Sequence, residues 1–165
     1  MAQGQKILIV DDEEVARETL KKVVERAGYS CLAVESGEEA LHVLRTFPAQ
    51  VVLADFDMPG MNGVDLLGTL AVRHPGVCRI LLTGRSDGET ALSAINVAHV
   101  YCYLTKPCLS SELLTVLHFA CDSVEAEQEN RRLLSMVRQQ EALLKELERR
   151  CPDVVVTARA AIGAA

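Results

Sequence analysis

The sequence predicts an α/β fold, a doubly wound five-stranded parallel sheet followed by a long C-terminal helix. Short apolar runs alternate with longer amphipathic stretches, and the links between them are short. The runs are continuously apolar, as expected of strands buried on both faces of a sheet. The stretch 112–150 contains neither Gly nor Pro and is rich in Glu, Leu, Arg and Gln, which indicates one long helix.

The first three elements follow from hydrophobic spacing. Residues 7–10 are a continuous apolar run and predict the first strand. Residues 13–27 carry apolar side chains at helical spacing, and Gly28 provides a helix stop. Residues 30–34 predict the second strand.

The middle of the chain continues the alternation. Ser36 predicts a helix N-cap, and Glu39 three residues later completes a capping box. The apolar run 51–54 predicts the third strand. After a turn-rich loop, residues 64–73 predict the third helix.

Two further strands and two helices complete the pattern. The run 79–82 predicts the fourth strand, and residues 88–97 a helix capped by Asp87. The run 101–104 predicts the fifth strand. The long helix is expected to begin near Ser110.

Composition limits the class of protein. The chain has 165 residues, 49% of them apolar and only 4% aromatic, which predicts one domain with an aliphatic core plus an appendage. A formal net charge of −6 argues against direct nucleic-acid binding. No apolar stretch is long enough to span a membrane, and the N-terminus lacks a signal-peptide layout, so we expect a cytoplasmic protein. The six cysteines lack disulfide or zinc spacing and are expected to be reduced, structural thiols.

Chemically useful side chains follow four of the predicted strands. Asp11 and Asp12 follow the first strand, Asp55 the third, Thr83 the fourth and Lys106 the fifth. The carboxyl ends of parallel strands share one edge of a sheet, where ligands bind in open α/β folds. Three carboxylates, a hydroxyl and an ammonium would therefore meet in one pocket, suited to Mg²⁺ and a phosphoryl group.

Each of these residues has a chemical and a plainer interpretation. Asp55 is the predicted nucleophile, because a carboxylate can attack a phosphoryl donor and form an aspartyl-phosphate. Lys106 can pair with Asp55 and then with phosphate oxygens, and Thr83 can offer its hydroxyl to one of them. The plainer interpretations are that Asp11 and Asp12 cap the first helix, that Asp55 opens a turn, and that the other two are ordinary strand-end residues.

The long helix carries two heptad frames with a phase break between them. The first frame holds Leu113, Leu117, Ala120 and Val124; the second holds Asn130, Leu133, Val137, Gln140, Leu144, Leu147 and Cys151. Pairing with a second copy explains the second frame best, and Asn130 in the seam would set the register. The alternative is one amphipathic helix that folds back on its own domain. The predicted divisions are a domain at 5–122, a coiled-coil extension continuous with its last helix at 123–151, and a flexible tail at 152–165.

The ordered set of landmarks resembles the bacterial response-regulator receiver domain over residues 5–122. The matching segments are ILIVDD (7–12), ADFDMPGMNG (54–63), LTG (82–84) and YLTKP (103–107). The resemblance implies a flavodoxin-like fold and phosphoryl transfer from a sensor histidine kinase or phosphotransfer protein to Asp55.

The resemblance also implies residue roles. Asp12, Asp55 and the backbone carbonyl of Asp57 would hold Mg²⁺, with Asp11 in support. Thr83 and Tyr103 would form the switch pair, and Lys106 would contact the phosphate.

Some positions depart from the common pattern of the family. Asn62 stands where an Asp is frequent and Gly84 where an Ala is frequent. Asp57 and Arg85 occupy positions that modulate hydrolysis of the acyl phosphate in this family, and we expect them to pair across the mouth of the pocket.

Two rival functions remain open at this point. A Mg²⁺-dependent phosphatase of the haloacid dehalogenase type would use Asp55-Phe56-Asp57 as its D-x-D motif, but that motif normally follows the first strand of that family. A phosphorylation-independent dimerising scaffold is the other. The expectation is a signalling protein and not an enzyme.

Overall fold

The structure is a computed structural model that describes residues 4–84 and 100–150. The chain divides into two compact units, Met1–Glu125 and Ala126–Ala165. Four sequence-based predictions fall outside the described residues: the helix at 88–97, the partner role of Arg85, the seam position of Cys151 and the tail at 152–165.

The described elements alternate as the sequence predicts. They are β1 (Lys6–Val10), α1 (Glu14–Arg26), β2 (Ser30–Val34), α2 (Gly37–Val43), β3 (Val51–Asp55), α3 (Gly63–Arg73), β4 (Cys78–Thr83), β5 (Cys102–Thr105) and α4 (Ser110–Arg150). All strand pairs are parallel, in the order β2-β1-β3-β4-β5. The predicted fold class is therefore confirmed, including the long C-terminal helix.

The sheet has an apolar layer on each face because successive side chains of each strand point to opposite sides. Ile7 and Ile9 of β1 pack in one cluster with residues of α1 and of the first part of α4. Leu8 and Val10 pack on the other face, with residues of α2 and α3. Both layers are almost entirely aliphatic, as the composition predicts.

Strand ends differ slightly from the sequence prediction. The fifth strand begins at Cys102 and ends at Thr105, one residue later than predicted. The parallel register sets this end, because Thr83 pairs with Thr105 and the Lys106 amide then donates to the Thr83 carbonyl at 2.6 Å. Lys106 therefore follows the strand directly, at the sheet edge where Asp55 ends β3.

The predicted capping box at α2 forms only in part. The Ser36 hydroxyl accepts from the Glu39 amide at 3.2 Å, as predicted. The Glu39 carboxylate, however, accepts from the Glu35 amide at 3.2 Å rather than from Ser36 itself. The extended backbone of Ser36 (φ −148°, ψ 158°) accompanies this arrangement, and the preceding amide is the one that lies within reach of the carboxylate.

None of the helices within residues 4–84 and 100–150 has an apolar stretch of the length that a membrane span requires.

Candidate functional site

Three carboxylates converge at the carboxyl edge of the sheet. Asp11 and Asp12 leave β1, and Asp55 is the last residue of the adjacent strand β3. Their carboxylate oxygens lie within 4.8 Å of one another. Asp11 is fully buried and Asp55 nearly so, whereas Asp12 is exposed. The sequence prediction that these residues share one site is supported by this geometry.

Lys106 joins two of the three carboxylates. Its ammonium lies 2.6 Å from Asp11 Oδ2 and 2.7 Å from Asp55 Oδ1. The predicted contact between Lys106 and Asp55 is therefore present, and the contact with Asp11 is an additional one. Removing Lys106 would leave two buried carboxylates without a compensating charge, which is strongly destabilising.

The single positive charge of Lys106 does not neutralise the three carboxylates of the site. Burial raises the pKa of the Asp55 carboxyl above its usual 3.8; the hydrogen bond and charge of Lys106 lower it, and the charges of Asp11 and Asp12 raise it further. The pKa of the Asp55 carboxyl is thus higher in the folded than in the unfolded protein. Stability is therefore lost as the pH rises from the ordinary pKa of an aspartate to the raised pKa of Asp55. Burial lowers the pKa of Lys106, but its hydrogen bonds to Asp11 and Asp55 outweigh burial and raise it overall. The site carries excess negative charge that a second cation would offset.

The donor set fits a hard divalent ion. Mg²⁺ takes oxygen ligands in an octahedron and keeps several waters, so it needs few protein ligands. Three carboxylates with oxygens within 4.8 Å of one another satisfy that requirement, and one of them is exposed to solvent. Asp57, whose backbone carbonyl is a predicted ligand, lies in the loop that directly follows β3.

Asp11 also takes part in the turn between β1 and α1. Its Oδ1 accepts from the Glu13 amide at 2.9 Å, and Glu13 is the N-cap of α1. Asp11 therefore supports the turn before α1, whereas the N-cap position itself belongs to Glu13 and not to the doublet. Its Oδ2 faces Lys106, so one carboxylate serves both the turn and the site.

The end of β3 rests against a glycine that the sequence reasoning did not identify. A Cβ on Gly63 would lie 2.1 Å from the Asp55 carbonyl oxygen and 3.1 Å from Leu81 Cδ1. The Gly63 amide also donates to the Phe56 carbonyl at 3.1 Å. The M-N-G sequence in the loop carried a hint, since a glycine at a helix start permits close backbone approach. Gly63 therefore sets how closely α3 approaches the predicted phosphoacceptor.

Asn62, the departure from the family pattern, has a local role. It is the N-cap of α3, where its Oδ1 accepts from the Asp65 amide at 2.9 Å and its Nδ2 donates to Asp65 Oδ2 at 2.8 Å. Asn is among the best N-cap residues.

The predicted switch residues lie on neighbouring strands. Thr83 ends β4, is buried, and its hydroxyl donates to the Gly84 carbonyl at 3.2 Å. Tyr103 on β5 is 47% exposed and pairs in register with Leu81, two residues before Thr83. The described residues place these two side chains on adjacent strands near the site.

The predicted seam residues between 130 and 147 are accessible in the single chain. Asn130 is exposed, and the four apolar members are about half exposed: Leu133, Val137, Leu144 and Leu147.

The five described cysteines are free thiols, as expected. Burial raises the pKa of Cys31, Cys78 and Cys121 to about 12 in each case, so these thiols stay protonated and unreactive at neutral pH. They serve as small apolar core residues.

Comparison with known proteins shows the family. The family described as "Response regulator receiver domain" matches residues 7–118. The chain belongs to the response regulator receiver family. Receiver domains are signalling domains of two-component systems, and they interact with histidine kinases or phosphotransfer proteins.

The receiver is similar to several curated regulators. It is 37% identical to the DNA-binding transcriptional regulator NtrC of Klebsiella pneumoniae over 123 residues. These aligned residues are 74% of this chain and 26% of that protein. It is 29% identical over 140 residues to the hydrogenase transcriptional regulatory protein HoxA of Cupriavidus necator, covering 85% of this chain and 29% of that protein. The chain thus spans less than a third of the length of these relatives.

Solved structures give the same fold. The signal receiver domain of an HD domain-containing protein from Pseudomonas fluorescens Pf-5 superposes with a TM-score of 0.73 at 31% identity, covering 78% of this chain and 94% of that chain. A chain described as adenylate cyclase from Rhodopirellula baltica gives a TM-score of 0.74 at 30% identity, covering 79% and 97%.

Proposed function

We propose that this receiver accepts a phosphoryl group on Asp55, in a Mg²⁺-dependent reaction, from a sensor histidine kinase or phosphotransfer protein. The observation that carries the proposal is the position of Lys106, whose ammonium bridges Asp55 and Asp11 beside the three-carboxylate cluster. An acceptor carboxylate needs an adjacent cation that can follow the charge onto phosphate, and Lys106 is placed to do so. A cytoplasmic location is expected, because the donor acts there.

Asp55, Lys106 and Asp11 have different roles in the proposed phosphoryl transfer. A carboxylate oxygen of Asp55 attacks the phosphorus of a phosphohistidine, the P–O bond forms, and the P–N bond breaks to return the imidazole. Lys106 remains tied to Asp11 while its contact with Asp55 passes to a phosphate oxygen. When bound, Mg²⁺ would neutralise charge on the transferring group.

The proposed metal ligands are Asp12, Asp55 and the backbone carbonyl of Asp57, with Asp11 in support. The arrangement supports this division because Lys106 already holds Asp11 Oδ2, while the Asp12 carboxylate is exposed to solvent. Asp11 then acts mainly by fixing Lys106.

The proposed output is a change in shape followed by dimerisation. A new dianionic phosphate would recruit the Thr83 hydroxyl, and Tyr103 would turn from its half-exposed position toward the space that Thr83 leaves. The surface that changes would alter pairing of the coiled-coil extension 123–151 with a second copy.

A phosphodonor experiment distinguishes the proposal from its two rivals. The full chain is incubated with acetyl phosphate and Mg²⁺, and its intact mass is followed over time. A gain of one phosphoryl group, lost in Asp55→Asn and without Mg²⁺, is the expected result. Rapid release of inorganic phosphate with many turnovers would favour the phosphatase, and an unchanged mass would favour the scaffold.

A matched control excludes trivial effects of the substitution. Asp122→Asn makes the same chemical change at a half-exposed position on α4, where the carboxylate lies 3.5 Å from His118 Nε2. It is expected to gain the phosphoryl group as the wild type does. Loss of modification in Asp122→Asn would show that the Asp55→Asn result is not specific.

The dimer proposal makes a separate prediction. Leu144→Glu places a charge in the predicted seam and is expected to weaken self-association more than 100-fold. Two buried leucines are lost per dimer, each worth about 1.5–3 kcal/mol. Ala142→Glu adds the same charge two residues away, outside the seam, and is the control. Sedimentation equilibrium of the beryllofluoride-treated and untreated proteins measures both; equal association of the two variants would contradict a seam at Leu144.

A further inference from the structure

Arg17 is the fourth residue of α1, and its side chain donates to the backbone carbonyls of Asp11 and Asp12. Its Nη1 donates to the Asp11 carbonyl at 2.7 Å and to the Asp12 carbonyl at 3.3 Å. The arginine is half-buried, and its own amide donates to the Glu13 carbonyl within the helix. One guanidinium nitrogen thus joins α1 to the two residues that follow β1.

The two aspartates are held to different degrees without this contact. Asp11 has three other bonds: its amide donates to the Val34 carbonyl at 3.2 Å, its Oδ1 accepts from Glu13, and its Oδ2 from Lys106. For Asp12, the bond from Arg17 is the one hydrogen bond found within residues 4–84 and 100–150. The position of Asp12 therefore depends on Arg17 more than that of Asp11 does.

The use of backbone carbonyls leaves the carboxylates available. A guanidinium paired directly with Asp12 would compete with a metal ion for the same oxygens. Because Arg17 donates to carbonyl oxygens instead, it adds positive charge beside the cluster and blocks no ligand atom. Arg17 also lines a polar recess with Glu35, Ser36 and Glu39.

We propose that Arg17 is a positioning residue for Mg²⁺ binding: it fixes the backbone of Asp11 and Asp12 so that the Asp12 carboxylate stays directed at the metal position. The inference rests on the proposed function, since it needs Asp12 as a ligand. Outer-shell groups that orient metal ligands typically contribute 10- to 100-fold in affinity.

Calorimetric titration of Mg²⁺ into the full chain tests the inference without any activity assay. Arg17→Ala is expected to raise the Kd for Mg²⁺ by about 10- to 100-fold, and Arg17→Lys to give a smaller increase, because an ammonium is a point charge without the planar fork of a guanidinium. Arg26→Ala is the matched control. It removes an exposed arginine from the same helix about 14 Å farther along, beyond the screening length at physiological salt, so its Kd should be unchanged.

Urea unfolding in EDTA separates positioning from support of the fold. A merely structural role would lower the midpoint of unfolding yet leave the Kd of the folded variant at the wild-type value, and that result would overturn the inference. If Arg17→Ala does not fold, Arg17→Lys decides, and a wild-type Kd in that variant would equally overturn it. Absence of Mg²⁺ binding in the wild type would instead reject the metal site of the proposed function itself, and the inference with it.

Discussion

Gly63→Ala is expected to destabilise the receiver by more than about 3 kcal/mol and to abolish phosphorylation of Asp55. The added Cβ would lie 2.1 Å from the Asp55 carbonyl oxygen and 2.9 Å from its carbonyl carbon. Both are backbone atoms of a buried central strand, so no side-chain rotation relieves the overlap. Either α3 moves away from the sheet or the end of β3 shifts, and both displace the acceptor carboxylate.

Gly68→Ala is the matched control for this prediction. Gly68 lies on the same helix, five residues later, and a Cβ there would meet nothing within 4 Å. The change is expected to stabilise the protein by about 0.5–1 kcal/mol, because Ala loses less backbone entropy than Gly in a helix. Urea unfolding followed by circular dichroism measures both variants, since the chain has no Trp. Equal stability of the two variants would show that the close approach at Gly63 is not present in solution.

Lys106→Met is expected to destabilise the metal-free receiver by about 2–4 kcal/mol. Asp11 is fully buried and Asp55 nearly so, and both carboxylates would lose the ammonium that lies within 2.7 Å of them. The cost comes from the uncompensated carboxylates rather than from lost packing. Mg²⁺ should therefore restore much of the lost stability, because it binds only the folded state.

A double-mutant cycle tests this explanation. Asp55→Asn alone is expected to stabilise the metal-free protein, because burial and the charges of Asp11 and Asp12 already raise the pKa of the Asp55 carboxyl. Combined with Lys106→Met, it should recover part of the loss, because one of the two unpaired carboxylates is gone. Lys22→Met, at an exposed position on α1, is the control and should change stability little. Additive effects of Asp55→Asn and Lys106→Met would contradict an energetic link between the two residues.

The long-range partners of the site were only partly predictable. The strand-end positions of Asp11, Asp12, Asp55, Thr83 and Lys106 placed them at one sheet edge, because parallel strands share a direction. That Lys106 bridges Asp55 and Asp11 depends on which strands are neighbours and on their register, and the sequence leaves both open. The roles of Gly63 and Arg17 stayed hidden for a similar reason, since a backbone carbonyl within reach of a side chain leaves no pattern in sequence.

The amino-acid sequence by itself determined the order of strands and helices, the aliphatic core and the residues available for phosphoryl chemistry. These depend on local periodicity and on which residue follows each strand. Only the tertiary structure decided that Asp11 is buried while Asp12 remains accessible, and that the ammonium of Lys106 lies between Asp11 and Asp55. Burial and charge pairing are set by groups distant in the chain, and their energies depend on distances of a few ångströms that no local pattern specifies.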